Sequence, residues 1–185
     1  MATGNRTGLD AAGVANIGDN PRILAFDLGQ KCGVACFEDG ELKNISLWNF
    51  DADRRASLGS KYLAFKEKLE AEVRYAEAQN KPLHFVYEAV DFVPKKNGAY
   101  SAHAWGAMEG VLHMVADSHN IPVTGLNVMT IKAVGAGSGR ATKEEMRIQA
   151  RLTWPGFRWG EDQADAAMAG WAYIQGATSK SAKHA

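Results

Sequence analysis

The stretch Arg22-Ile23-Leu24-Ala25-Phe26-Asp27 predicts a buried strand that ends on a carboxylate. Consecutive apolar residues without alternation are typical of a strand that is covered on both faces of a sheet. A second such run, Leu83-His84-Phe85-Val86-Tyr87, ends on Glu88. We expect the two strands to be neighbours, so that Asp27 and Glu88 lie close together.

The segments around these runs predict an α/β fold. Asp39-Gly40 is a strong hairpin signal between two strand candidates, residues 33–38 and 41–50. Helical and strand patterns alternate after them, which gives the order β-β-β-α-β-α-β-α-α. A meander followed by such alternation indicates a mixed sheet, in which a three-strand antiparallel meander continues into parallel strands and helices flank the faces.

The composition indicates one globular domain. The chain has 185 residues, of which 46% are hydrophobic and 23% charged, as in ordinary soluble proteins. We expect a single domain at 21–176, a disordered N-terminal arm or leader at 1–20 and a disordered tail at 177–185. No apolar stretch approaches the ~20 residues that span a bilayer, so no membrane partner is expected. Cys32 and Cys36 lack the second pair of a zinc site, and we interpret them as reduced residues of a cytoplasmic protein.

Two further acids, Asp162 and Asp165, lie three residues apart in a segment with helical periodicity, so they share one helix face. Carboxylates at the ends of buried strands are costly to desolvate unless a positive charge neutralises them. Neither 23–27 nor 83–88 contains Arg or Lys. A pair of divalent cations is the simplest neutraliser, because hard cations bind carboxylate oxygens. The pattern therefore points to metal-assisted hydrolysis of a phosphodiester.

Plainer interpretations remain open for individual acids. Asp162 is also suited to capping the N-terminus of a helix. Glu88 could be a water-exposed residue at the end of its strand. What favours a shared site is the combination of Glu88 and Asp162 with Asp27 and Asp165.

The charge distribution is uneven, although the chain carries 21 acidic and 21 basic residues. Nucleic-acid-binding domains are usually basic, so the balanced total argues against such a partner. Between residues 130 and 160, however, there are six basic residues and two acidic ones, which gives a local net charge of +4. The basic residues of this segment are Lys132, Arg140, Lys143, Arg147, Arg151 and Arg158. The residues expected to contact DNA phosphates are Arg140, Lys143 and Arg147 and, unless they belong to a solvated loop, Lys95 and Lys96.

Several large apolar side chains have more than one possible role. Trp105 and Trp171 lie on apolar helical faces and are expected in the core. Trp154 and Trp159 lie in the basic segment, where core packing and base stacking are equally open. One helical stripe packs either on the chain's own sheet or on a second copy of the chain, and its residues are Trp105, Met108, Leu112 and Val115.

Four segments resemble, in the same order, the motifs of RuvC-type Holliday junction resolvases, phage-type members included. The first is Ile23-Leu-Ala-Phe-Asp-Leu-Gly29, and the second is Phe85-Val-Tyr-Glu-Ala-Val90. The third, residues 131–143, contains two lysines at the family's spacing, and the last is Asp162-Gln-Ala-Asp-Ala-Ala167. The resemblance covers roughly residues 22 to 175. Four motifs in the right order are much more specific than any one of them.

This resemblance implies a ribonuclease-H-like fold and the activity of a crossover junction endodeoxyribonuclease. It implies two Mg²⁺ ions per active site, for which Mn²⁺ can substitute, and no small-molecule cofactor. The metal ligands and catalytic acids that it implies are Asp27, Glu88, Asp162 and Asp165. It also implies that Lys132 and Lys143 contact phosphate or stabilise the transition state. Phe92 is the nearest match, one position off, to an aromatic residue that the family places after the glutamate and that contacts DNA.

The resemblance further implies a homodimer that cuts two strands of branched DNA, such as a four-way junction, symmetrically. Three other functions share parts of the pattern. Residues 26–29 also resemble the phosphate motif of sugar kinases and actin-like ATPases, but we expect 185 residues to leave no room for their second lobe. A non-catalytic nucleic-acid-binding member of the same fold would gain nothing from acids beside phosphates. A ribonuclease-H-type nuclease of RNA–DNA hybrids stays open, because the basic segment suits both substrates.

Overall fold

The computed structural model describes residues 21–53, 55–90 and 98–177. The strands in this part of the chain are β1 (Arg22–Asp27), β2 (Lys31–Glu38), β3 (Glu41–Asn49), β4 (Leu83–Ala89) and β5 (Val123–Asn127). The helices are α1 (Leu58–Ala78), α2 (Gly98–Ser118), α3 (Val128–Ala136), α4 (Lys143–Thr153) and α5 (Glu161–Ile174). Outside the described residues lie the arm expected at 1–20, most of the expected tail (178–185), Phe92, Lys95 and Lys96.

The strands form one mixed sheet in the order β3-β2-β1-β4-β5. β1, β2 and β3 are an antiparallel meander, whereas β4 is parallel to both β1 and β5. Asp39 and Gly40 join β2 to β3 with φ angles of 58° and 74°, as the favoured two-residue hairpin turn requires. The predicted α/β fold with a mixed sheet is confirmed.

The pairing of β1 with β4 brings the two acidic strand ends to one edge of the sheet. Phe26 lies beside Tyr87 in parallel register, so Asp27 and Glu88 follow at neighbouring positions. Parallel strands end on the same side of a sheet, and the predicted proximity of these two acids follows from that geometry.

Helices cover both faces of the sheet and enclose two separate apolar cores. α1 and α2 pack on one face over Leu24 and Phe26, where the Phe26 ring makes an edge contact with Phe85 at a centroid distance of 5.5 Å. α3, α4 and α5 pack on the other face over Ile23 and Ala25. Successive side chains of β1 therefore serve opposite cores, as the run without alternation predicts.

α5 lies unusually close to the sheet, because small residues line the contact. Ala25 and Ala35 are fully buried beneath it. A Cβ atom added at Gly170 of α5 would lie 2.5 Å from Cε2 of Phe37 and 2.9 Å from Cβ of Ala25. Half of the residues of α5 are buried, including five consecutive ones from Ala166 to Gly170, so the buried surface is wider than a single helical stripe.

The structure resolves the alternatives left open for the large apolar side chains. Met108, Leu112 and Val115 of α2 are buried in the chain's own core, and Trp105 packs against them. Trp154 makes ring contacts with Phe37, Trp159 and Trp171. The α2 stripe therefore packs on its own sheet, and Trp154 and Trp159 belong to an aromatic cluster of the core.

Capping side chains fix the residues at which α3 and α4 begin. A capping box opens α4, where the Thr142 hydroxyl accepts a hydrogen bond from the Glu145 amide and the Glu145 carboxylate accepts from the Thr142 amide. α3 begins at Val128, because the Asn127 side chain accepts a hydrogen bond of 2.8 Å from the Met129 amide.

Cys32 and Cys36 are buried free cysteines in β2. Burial raises the pKa of the Cys36 thiol to about 11, so it stays protonated at neutral pH. Among the described residues, no helix is both long enough and apolar enough to cross a membrane.

His84 is the one histidine in the described strands. Its side chain lies on the face of the sheet that α3, α4 and α5 cover. Its side chain is 1% exposed. Nε2 lies 3.0 Å from the Thr124 hydroxyl, and the ring stacks on Tyr173 with a centroid distance of 4.6 Å. Burial disfavours the charged imidazolium and lowers the pKa of His84 to about 4.

This burial predicts an acid-sensitive contribution to folding. The unfolded chain binds a proton at His84 near pH 6.5, whereas the folded chain binds it only near pH 4, so stability is lost as the pH falls through this window. The loss attributable to His84 should reach on the order of 3 kcal/mol at pH 4. Urea denaturation of wild type and His84→Gln at pH 7, 5.5 and 4 measures it. A wild-type profile parallel to that of His84→Gln would contradict the assignment.

Candidate active site

Three of the predicted acids line one small cavity at the edge where β1 and β4 end. Asp27 is the last residue of β1, Glu88 is the sixth of the seven residues of β4, and Asp165 projects from α5. The cavity has a volume of about 120 Å³. Its other lining residues are Val128, Ile131, Lys132, Lys143 and Met146.

The fourth acid, Asp162, lies beside this cavity but does not line it. Its charge helps to raise the pKa values of both Asp27 and Asp165, so it is near enough to act on them electrostatically. Asp162 is not a helix cap, because Gly160 occupies the N-cap position of α5. Asp162 and Asp165 instead lie one helical turn apart, on the same face.

Two lysines enter the site from the α3–α4 side. Lys132 lies in α3, and Lys143 is the first residue of α4, directly after its capping box. Nζ of Lys143 lies 3.3 Å from Oδ2 of Asp165. Within the described residues, Lys132 forms no hydrogen bond or ion pair, so its ammonium group is available to a ligand.

Burial raises the pKa values of the three carboxyl groups that line the cavity. It raises the pKa of Asp27 well above its ordinary value, and the charges of Asp165, Glu88 and Asp162 raise it further against the opposing effect of Lys143. Burial likewise raises the pKa of Glu88 and of Asp165, although Lys143 and Lys132 act in the opposite direction. The two ammonium groups therefore do not offset the combined effect of burial and of the neighbouring carboxylates.

A divalent cation fits this donor set chemically. The cavity offers carboxylate oxygens, which are the preferred ligands of Mg²⁺, and an excess of negative charge. Among the described residues, no three acidic, histidine or cysteine side chains already converge on one point. Metal binding therefore requires the carboxylates to turn towards one another, and Asp165 to loosen its contact with Lys143.

The basic residues expected to contact DNA differ in how they are engaged. The Arg140 side chain is exposed, and its guanidinium forms no hydrogen bond or ion pair with any described residue. Arg147 instead forms an ion pair with Glu144, one turn away on α4. The sequence alone does not distinguish these two arginines, because the spacing of Glu144 and Arg147 does not show which partner Arg147 takes.

The crowding of carboxylates predicts that the site lowers the stability of the metal-free protein. Asp27→Asn should raise the free energy of unfolding at pH 8, because it removes a carboxylate whose charged form is disfavoured by burial and by the neighbouring acids. The folded-state pKa of Asp27 is raised above 3.8, so the destabilisation exists above that raised pKa and disappears as the pH falls through it.

The gain in the free energy of unfolding from Asp27→Asn should therefore become smaller from pH 8 towards pH 4. Urea denaturation in EDTA at both pH values measures it. Asp39→Asn is a matched control, because Asp39 is exposed in the β2–β3 turn and asparagine tolerates its positive φ angle. An Asp27→Asn protein no more stable than wild type at pH 8 would refute the account.

Solved structures of known proteins share this architecture. The Thermus thermophilus RuvC structure matches with a TM-score of 0.65 and 17% identity, over 85% of this chain and 98% of that chain. T. thermophilus RuvC in complex with Holliday junction substrate matches with a TM-score of 0.65 and 16% identity, over 82% and 92%. The yeast mitochondrial Holliday junction resolvase Ydc2 matches with a TM-score of 0.55 and 15% identity, over 84% and 79%.

No family model matches the sequence, and no curated protein sequence matches it either. At identities of 15–17% the structural matches show the fold. The ribonuclease-H-like fold of RuvC is therefore confirmed for this chain, and the resemblance to RuvC-type resolvases extends from the motifs to the three-dimensional structure.

Proposed function

We propose that this protein is a metal-dependent endonuclease that resolves Holliday junctions or related branched DNA by symmetric phosphodiester hydrolysis. The observation that carries the proposal is the convergence of Asp27, Glu88 and Asp165 with two lysines in one cavity of a RuvC-like fold. The similarity to resolvase structures supports a junction-resolving nuclease over an unrelated hydrolase, because the acids occupy the edge of the sheet where β1 and β4 end.

The four acids would hold two Mg²⁺ ions, with Mn²⁺ as a substitute. The chemistry that such ions supply is activation of a water for in-line attack and neutralisation of charge on the departing 3′ oxygen. Asp27, Glu88 and Asp165 would bind the ions through carboxylates that already lie at one edge of the sheet. Asp162 would complete the set of ligands from its place beside the cavity.

The lysines act on the substrate phosphate. Lys132 has no partner among the described residues and lines the cavity, so it is placed to stabilise charge that grows on the phosphoryl oxygens. Lys143 balances Asp165 in the structure and becomes available to phosphate when Asp165 turns to a cation. Val128, Ile131 and Met146 line the same cavity and limit the access of water.

Symmetric resolution further implies a homodimer. A four-way junction offers two equivalent strands, and paired cuts require two active sites related by a two-fold axis. The described part of one chain contains a single acidic cavity of this kind. The apolar stripe of α2 is buried within its own core, so the dimer must form through another surface.

Cleavage of a panel of substrates tests the proposal. Wild type with Mg²⁺ should cut a four-way junction in preference to three-way, flap, linear duplex and RNA–DNA hybrid substrates, and EDTA should abolish cutting. In a cruciform plasmid, both strands should be cut within one binding event. Asp165→Asn should reduce cleavage about 10³-fold, because loss of a metal ligand removes several kcal/mol of charge stabilisation and each 1.4 kcal/mol is tenfold in rate.

Binding provides the control for this experiment. Asp165→Asn should still bind the junction without metal, at least as tightly as wild type, because a negative charge near phosphate is lost. Asp39→Asn makes the same chemical change in a remote turn and should cut normally. Wild-type cutting by Asp165→Asn would refute the site, and preferential cutting of the hybrid would replace the resolvase proposal with a ribonuclease-H-type function.

The two arginines predict different salt dependences of junction binding. Each phosphate contact contributes about one unit to the slope of log K against log salt concentration. Arg140→Ala should reduce the slope by about one unit, because its guanidinium is free of described partners. Arg147→Ala should leave the slope nearly unchanged, because Arg147 pairs with Glu144. Fluorescence anisotropy from 50 to 300 mM salt measures both, and equal slopes for the two variants would overturn the distinction.

A further inference from the structure

Gly33 of β2 lies directly beneath the first turn of α5. A Cβ atom added at this position would lie 1.9 Å from the carbonyl oxygen of Asp162, 2.2 Å from its carbonyl carbon and 2.9 Å from the amide nitrogen of Gln163. All three are backbone atoms, so no change of side-chain rotamer relieves the contact. Any side chain at position 33 would therefore displace the helix turn itself.

The backbone conformation does not require a glycine here. Gly33 does not appear among the positive-φ glycines of the described chain, and glycine inside a strand weakens it. Space is the remaining reason, because close approach of another backbone is one of the uses of a strand glycine. The sequence pattern predicts an ordinary strand residue at this position, although an isolated glycine within a strand is itself a signal of such an approach.

The turn that rests on Gly33 carries the acids of the site. Asp162 belongs to that turn, and Asp165 follows one turn later on the same helix face. On the other side of the contact, Gly33 pairs with Asp27 across β1 and β2. The absence of a side chain at position 33 thus sets the separation between the carboxylates of α5 and that of β1.

We propose that Gly33 is a positioning residue of the active site, which holds Asp162 and Asp165 at the distance from Asp27 that their shared function needs. The inference rests on the proposed metal-dependent nuclease. In real proteins a Cβ atom essentially never lies within 3.0 Å of a heavy atom from another part of the chain, so a contact at 1.9 Å must open by about 1 Å. A site constellation tolerates about 0.5 Å, and a displacement of 1 Å costs about 10²-fold in rate.

Gly170→Ala is the matched control for Gly33→Ala. Both variants add one methyl group to the contact between α5 and the sheet. The methyl at position 170 meets the side chains of Phe37 and Ala25, towards the C-terminal end of α5 and two turns or more from Asp162. A purely structural role for Gly33 would make the two variants behave alike.

The experiment measures Tm of the full chain in EDTA and in 10 mM Mg²⁺, and then junction cleavage at a temperature where every variant is folded. Wild type should gain Tm with Mg²⁺, because a ligand of the folded state stabilises it. Gly33→Ala should lose most of this gain and about 10²-fold in kcat, with KM for the junction unchanged. Gly170→Ala should have a lower Tm in EDTA but keep the Mg²⁺ gain and the kcat.

Retention of both the Mg²⁺ gain and the kcat by Gly33→Ala would overturn the inference, as would equal losses in both variants. If Gly33→Ala does not fold, Ala164→Val replaces it, because Ala164 is buried in the first turns of α5 and a larger side chain there lifts the helix from the sheet. A folded Ala164→Val protein with a normal gain in Tm from Mg²⁺ and a normal kcat would then overturn the inference. A wild-type protein without Mg²⁺ gain or cleavage would refute the proposed function itself.

Discussion

The close packing of α5 against β1 and β2 is the constraint on which both the core and the site depend. Ala25, Ala35, Gly33 and Gly170 leave room for the helix to lie almost against the backbone of the sheet. Small side chains therefore fill the contact between α5 and the centre of the sheet, whereas larger ones such as Phe37 and Trp159 pack around it. This packing also carries two acids of the helix to the strand ends, so a larger residue at position 33, directly beneath Asp162, would move the site as well.

The approach of α5 creates an electrostatic cost in the metal-free protein. Asp27 is half-buried beside acids from two other elements, β4 and α5, and its pKa is raised well above the ordinary value. Lys143 relieves part of this cost through its contact with Asp165. Clusters of this kind are typical of functional sites, where charge is arranged for a ligand rather than for stability. Stability and the proposed function therefore make opposite demands on Asp27.

The cationic side chains between residues 132 and 147 differ in how they are engaged. Lys143 is bound to a carboxylate of the site, Arg147 to a glutamate on its own helix, and Lys132 and Arg140 to no described residue. Free and paired cations contribute differently to phosphate binding, because a paired one must first give up its partner. The local charge of +4 in this segment therefore overstates the charge that is available to DNA.

The sequence by itself determined the order of elements as far as β5, the β2–β3 hairpin and the four acids, because these depend on local periodicity, turn chemistry and residue type. The predicted order ends in two helices, whereas the structure has three after β5. The sequence did not determine whether Met108 faces its own sheet, which counter-ion Asp165 takes, or why position 33 is glycine. Each of these depends on residues far apart in the chain: Lys143 meets Asp165 and Gly33 meets Asp162 only after α5 has packed on the sheet. Periodicity reports which face of an element is apolar, whereas the distance between two elements is decided by packing in the folded chain.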